Sequence, residues 1–252
     1  METVFNISLP TSWDELSDKQ LLMVYDLLSR DLSAAEVKTL CLMKWNRLRV
    51  LASLPRHRFL IKRKGEPEVA LSTRQIQKAT SVLDFLDSFA SMPVRISRIG
   101  KYHALPADFE KVPFEEFLFV ENLFQGYLNT QSDELLLQMA QVMYASDHVK
   151  PDKAQLIGIF YWMASLKQYF ATQFSNFYKP ASNSDDGNLL GSGKPDIYSQ
   201  LRDSTNAMIR ALTGGDITKE DAIMKMDTWR ALTELDAKAR EAEELRKAAK
   251  KP

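Results

Sequence analysis

Ile209 to Lys247 reads IRALTGGDITKEDAIMKMDTWRALTELDAKAREAEELRK. A helix ends at Gly214-Gly215, because glycine takes the left-handed capping conformation without a steric penalty. Thr218 with Asp221 opens the next, whose apolar side chains Ile223, Met226, Trp229, Leu232 and Leu235 recur at helical spacing. Beyond Leu235 the run is rich in Ala, Glu, Lys and Arg, residues of high helix propensity. Its apolar residues there, such as Ala239, Ala242 and Leu245, form a strip that buries little area. The stretch therefore predicts a helical hairpin over 196–252, with a charged terminal helix that leaves the core to meet a partner. The stripe Ile223, Met226, Trp229, Leu232 and Leu235 is the expected partner-binding face. A terminal segment enclosed in the molecule's own interior would contradict that expectation.

The same helical periodicity extends upstream. Phe114, Phe117, Val120, Glu121, Phe124 and Tyr127 share one face after Pro113, which suits the start of a helix. A helix from about Asp133 to Ala145 follows with Leu136, Met139, Ala140 and Met143. Another opens after Pro151 and turns Leu156, Ile159, Phe160, Met163, Leu166 and Phe170 inward. Residues 111–180 thus form an aromatic-rich helical core, in which the aromatic stripe and Trp162 read as packing groups. Ala181 to Pro195 (ASNSDDGNLLGSGKP) has the composition of a flexible loop.

Residues 1–110 read as a helical region with a small β element. Ser12-Trp13-Asp14-Glu15, Ser17-Asp18-Lys19-Gln20 and Ser33-Ala34-Ala35-Glu36 all fit the capping box, in which two side chains reciprocally satisfy orphan N–H groups, and Ser72-Thr73-Arg74-Gln75 starts a further helix. The helix from Ser33 carries Val37, Leu40, Cys41 and Leu48 and is expected to run on to Pro55. The one from Ser72 carries Ile76, Leu83, Leu86 and Phe89. Strand material lies between them. His57 to Lys64, a Gly65-Glu66-Pro67 turn and Glu68 to Leu71 read as a hairpin, and Pro93 to Ile99 alternates as a half-buried strand does. The fold class is mainly α: a bundle-like globule with a small β-hairpin or a short two- to three-stranded sheet near residues 57–99. The four segments are compatible with one domain.

Composition narrows the function classes. Lys plus Arg equals Asp plus Glu, at 33 each, so no global field draws in nucleic acid or an anionic membrane. The single cysteine, Cys41, permits no internal disulfide and sits in an apolar helical pattern. No apolar run approaches the roughly 20 residues that span a bilayer, and the first residues lack the basic and apolar regions of a signal peptide. The expected location is the cytoplasm.

No catalytic constellation stands out, and no cofactor or metal is expected. Gly191-Ser192-Gly193-Lys194 lacks the earlier glycine and the following Ser or Thr of a phosphate loop. His57, His103 and His148 are far apart and lack cysteine partners. Arg56, Arg58, Lys62, Arg63 and Lys64 form a basic cluster interleaved with His57 and Phe59. Such a cluster can contact nucleic acid, but it also suits a solvated edge that blocks pairing with another molecule. The sequence favours the edge, and nucleic acid is the disfavoured partner.

Ala211-Leu212-Thr213-Gly214-Gly215-Asp216-Ile217-Thr218, then Trp229 to Leu235 with its charged end, resembles the C-terminal end of small helical proteins encoded in bacteriophage tail regions. Val112-Pro113-Phe114-Glu115-Glu116-Phe117, followed by Leu137-Gln138-Met139-Ala140-Gln141-Val142-Met143-Tyr144, adds to the likeness. This order over roughly residues 110–245 is similar to that in phage or prophage tail assembly chaperones of Bacteroides-like hosts. The resemblance implies a non-enzymatic assembly factor that keeps a tail component soluble in the host cytoplasm. It implies a protein partner from the tail or virion and supplies no catalytic residue. A structural virion or connector protein, carried in the particle, and a nucleic-acid-binding regulator using residues 56–64 are the alternatives.

Overall fold

The computed structural model describes residues 6–179 and 197–249. The Ser/Gly-rich stretch 181–195 and its Gly191 to Lys194 run lie outside the described residues. The chain is mainly α-helical, with a three-stranded antiparallel sheet and a second, two-stranded one.

Helix α1 (Asp18–Leu28) and helix α2 (Ala34–Trp45) begin at Ser17 and Ser33, each in a reciprocal capping box with Gln20 and Glu36. The box expected at Ser12 does not form. Trp13–Glu15 is a single 3-10 turn, and the Glu15 carboxylate accepts from the N–H of Thr11 at 2.7 Å instead.

The helix expected to reach Pro55 stops ten residues earlier. Asn46 terminates α2, its side-chain amide donating to the Leu42 carbonyl at 3.2 Å. Arg47 then turns left-handed (φ +54°), and strand β1 (Leu48–Leu54) leaves in a new direction. Leu40, placed on the inner face by spacing, is exposed, whereas Val37 and Cys41 are buried. Strand β2 (Arg58–Arg63) pairs with both β1 and β3 (Val69–Ser72), so β2 is central. A bulge falls between Val50 and Ala52. Phe59 and Ile61 of β2 face α2 and helix α3 (Thr73–Thr80), joining Leu42, Leu48 and Ile76 in a small core.

Helix α3 is shorter than its apolar pattern, because the chain tightens into 3-10 geometry over Ser81–Asp87. Of the strand expected at Pro93 to Ile99, only Arg98–Ile99 (β4) forms, paired with Tyr102–His103 (β5). Side chains tie the irregular stretch down. Tyr144 Oη donates to the Ile96 carbonyl at 2.7 Å, and Trp13 Nε1 donates to the carbonyls of Phe85 and Ser88, each at 2.9 Å.

Helix α4 (Phe114–Thr130) and helix α5 (Asp133–Met143) form a hairpin closed by left-handed Gln131 (φ +56°). Helix α6 (Lys153–Gln173) starts at an Asp152–Gln155 capping box and runs through the centre. One side of α6 gives Ile159, Trp162 and Met163 to the large core built on α4 and α5. Its other side gives Ala154, Ile157 and Tyr161 to the core of α1 and α2. Helix α7 (Ile197–Thr213) ends before left-handed Gly214 and Gly215. The helix expected from Thr218 onward is two: α8 (Glu220–Met224) and α9 (Thr228–Ala249).

Candidate functional site

The break between α8 and α9 fixes the terminal stripe. The Phe114 N–H donates to the Met226 carbonyl at 2.8 Å, and the Thr228 N–H donates to the Val112 carbonyl at 2.9 Å, a bridge between Pro113 and Asp227. Asp227 accepts from the Lys111 N–H at 2.6 Å and from the Arg230 N–H at 3.1 Å, so it both anchors the crossing and caps α9. An unbroken helix would occupy these backbone groups with its own hydrogen bonds.

The crossing turns the stripe inward. Ile223, Leu232 and Leu235 are buried, and Met226 and Trp229 are half-buried against the same core. The Trp229 ring meets Tyr169, Phe170 and Phe174 with centroids 5.4–5.8 Å apart, and its Nε1 donates to the Asp108 carbonyl at 2.8 Å. The five residues expected to form an open partner-binding face therefore hold α8 and α9 onto α4 and α6. The physical reason is area: a stripe with a tryptophan and two leucines buries more against its own core than it leaves for a partner.

The charged half of α9 begins where the stripe ends. Asp236 Oδ1 accepts from the backbone N–H groups of Asn176 and Phe177 at 2.8 and 3.0 Å, and Oδ2 from the Asn176 amide at 2.8 Å. Burial alone would raise its pKa, but these donors outweigh it and hold the carboxyl below its ordinary value. Further on, Lys179 Nζ donates to Glu243 at 2.9 Å, and beyond Glu243 the described residues of α9 are exposed.

Between α4 and α7 the surface opens into a cleft that no spacing argument exposed. One part, about 340 Å³, is walled by Phe119, Leu123, Gly126, Leu135 and Leu201. The adjoining part, about 370 Å³, is walled by Phe117, Leu118, Phe177, Tyr178 and Met208. Asn122, Leu201 and Thr205 line both. Phe119 stands 51% exposed at the rim. Glu121 lies at the floor. Its Oε1 accepts from Lys167 Nζ and from Gln125 Nε2, while its Oε2 is buried with no hydrogen-bond partner among the described residues. Burial, with the Glu121 charge as a second cause, pushes the Tyr178 phenol well above its ordinary value, so it stays protonated and can donate.

The basic cluster is divided by the fold. Arg63 is structural: it donates to the carbonyls of Asn46 and Asn6 and to the Glu66 carboxylate, each at 3.0 Å. Lys62 reaches Glu68 at 3.1 Å. Arg56, Arg58 and Lys64 are exposed, and the pairing of β1 with β2 sets Arg49 opposite Lys62.

Cys41 is wholly buried, and desolvation pushes its thiol up to about 12, which leaves it inert as a nucleophile. Among the described residues no group of three His, Cys, Asp or Glu side chains could hold a metal ion, and no helix is long and apolar enough to cross a membrane. No family model, curated protein or solved structure matches the chain.

Proposed function

We propose that the protein is a non-enzymatic assembly factor of the tail assembly chaperone kind, binding a tail or other virion polypeptide in the cytoplasm of a bacterial host. The observation that carries this reading is the apolar cleft between α4 and α7 with Phe119 exposed at its rim. Two adjoining hollows along a helix pair suit an amphipathic helix, which would seat bulky side chains one or two turns apart. The exposed, charged end of α9 beyond Glu243 offers a second contact surface. The motif order over residues 110–245 supports the same class.

The test is capture from phage-infected or prophage-induced cells. Full-length protein should retain a virion polypeptide, and Phe119→Asp should weaken that capture at least ten-fold without changing the melting temperature. A chain truncated after Glu243 should fold, because the Asp236 and Glu243 contacts remain, and should bind more weakly. Equal capture by wild type and F119D would overturn the cleft assignment. A fixed copy number in purified particles would favour the connector reading over the chaperone.

A further inference from the structure

The net charge of zero conceals a strong separation. Residues 44–80 hold ten basic side chains and two carboxylates, a net +8 in a chain whose formal charge is 0. Nine of the ten (Lys44, Arg47, Arg49, Arg56, Arg58, Lys62, Lys64, Arg74 and Lys78) are exposed, and only Arg63 is half-buried.

The register places three of them, Arg49, Arg58 and Lys62, on the outer face of the sheet, with Arg56 and Lys64 in the flanking turns, whereas Lys44 lies on α2 and Arg74 and Lys78 on α3. Because Phe59 and Ile61 face the core, Arg58, Leu60 and Lys62 face outward, side chains alternating along a strand. Arg49 sits directly opposite Lys62, and Leu54 opposite Arg58. Like charges opposite one another destabilise a sheet, and the Lys62–Glu68 contact relieves only one of them. At the far end Arg56 and His57 both take left-handed backbone (φ +62° and +54°), a conformation that glycine or asparagine fills at less cost. The fold thus holds three cations on the outer sheet face against the one carboxylate of Glu68, with further cations at its turns, an arrangement that an external polyanion would relieve.

We propose that the outer face of the β1–β2–β3 sheet binds the phosphate backbone of duplex nucleic acid, without reading its sequence. Arginine leads the set, and its planar fork matches phosphate oxygens. The outward face presents Ala52, Leu60 and Ala70 between the cations and no aromatic ring. It therefore lacks the stacking platform a single strand uses. A seven-residue strand is roughly 20 Å long, enough to face on the order of four to six phosphates of a duplex. This inference goes beyond the assembly reading and stands if that reading fails.

The experiment is fluorescence anisotropy of full-length protein with a labelled duplex DNA of thirty base pairs. Single-stranded RNA, an acidic polyglutamate peptide and phosphatidylserine vesicles serve as rival probes. Duplex binding should weaken roughly 10²- to 10³-fold between 50 and 200 mM salt, as release of counterions from about four to six phosphates requires. The variant R49E/R58E should lose at least ten-fold in affinity, whereas K150E/K153E, reversing exposed cations at the start of α6, should not. Should the reversed variant fail to fold, R49Q/R58Q should still bind several-fold more weakly. Absence of duplex binding at 50 mM salt, equal binding by both sheet variants and wild type, or tighter binding to any rival probe would overturn the proposal.

Discussion

Tyr25 is fully buried in an aromatic cluster, with Tyr161 at 5.5 Å and Trp13 at 6.2 Å between ring centroids, yet its hydroxyl has no hydrogen-bond partner among the described residues. A buried donor left unmade costs about 1–3 kcal/mol. Tyr25→Phe keeps the ring and removes that cost, so it should raise stability by about 1 kcal/mol. The check is a higher denaturant midpoint at unchanged m-value; a lower midpoint would mean the hydroxyl is satisfied. The sequence marks Tyr25 as apolar-facing through its spacing with Leu21 and Leu28, but spacing says nothing about a phenol oxygen. Trp229 makes the same point for the site. Its apolar character was legible; that its indole N–H meets the Asp108 carbonyl, 121 residues away, was not.

At the level of elements, Gly158 sets how closely α1 and α6 approach. A Cβ there would lie 3.0 Å from the Tyr25 ring and from the Ile96 Cδ1 methyl. Alanine gains about 1 kcal/mol in helix propensity over glycine, while overpacking costs about 1–3 kcal/mol. The ring is wedged between Trp13 and Tyr161 and cannot yield, so overpacking wins. Gly158→Ala should lower the melting temperature by about 2–4 °C, and Gly158→Val by more. A rise in melting temperature would show that the helices can part. Boundaries were the weakest part of the sequence reading. Leu48 keeps helical spacing with Cys41, so periodicity carried the helix too far, and only pairing with β2 makes residues 48–54 a strand. The same misreading hid Arg49 from the basic cluster. Likewise Ile223 to Leu235 keeps one period across a break that long-range bonds from Val112 and Phe114 impose. By contrast, the boxes at Ser17 and Ser33 form where the sequence places them, because a capping box is local chemistry.

For the whole molecule, the buried titratable groups point to alkaline sensitivity. Desolvation pushes the Cys41 thiol up to about 12 and raises the phenols of Tyr25, Tyr144 and Tyr178 above their ordinary value. Each folded-state value lies above its unfolded counterpart, near 8.5 for cysteine and 10 for tyrosine. The protonated forms favour the fold, so this stability is complete below about pH 8.5 and is lost as pH rises toward the folded values. The melting temperature should hold between pH 6 and 8 and fall by several degrees by pH 11. Cys41→Ala should remove the earliest part of that fall, and a flat profile to pH 11 would show that these groups are hydrated.

The sequence by itself determined the mainly helical class, most core positions of α4, α5 and α6, and two of the capping boxes. All of these follow from interactions within a few residues, which composition and period encode directly. The tertiary structure alone decided that the terminal stripe is core, that α4 and α7 leave a cleft, and that Arg49, Arg58 and Lys62 share one face of the sheet. Those outcomes depend on which surfaces meet across a hundred residues of chain. A side chain's polarity says that it seeks a partner, but only the packed chain supplies one or leaves it facing solvent.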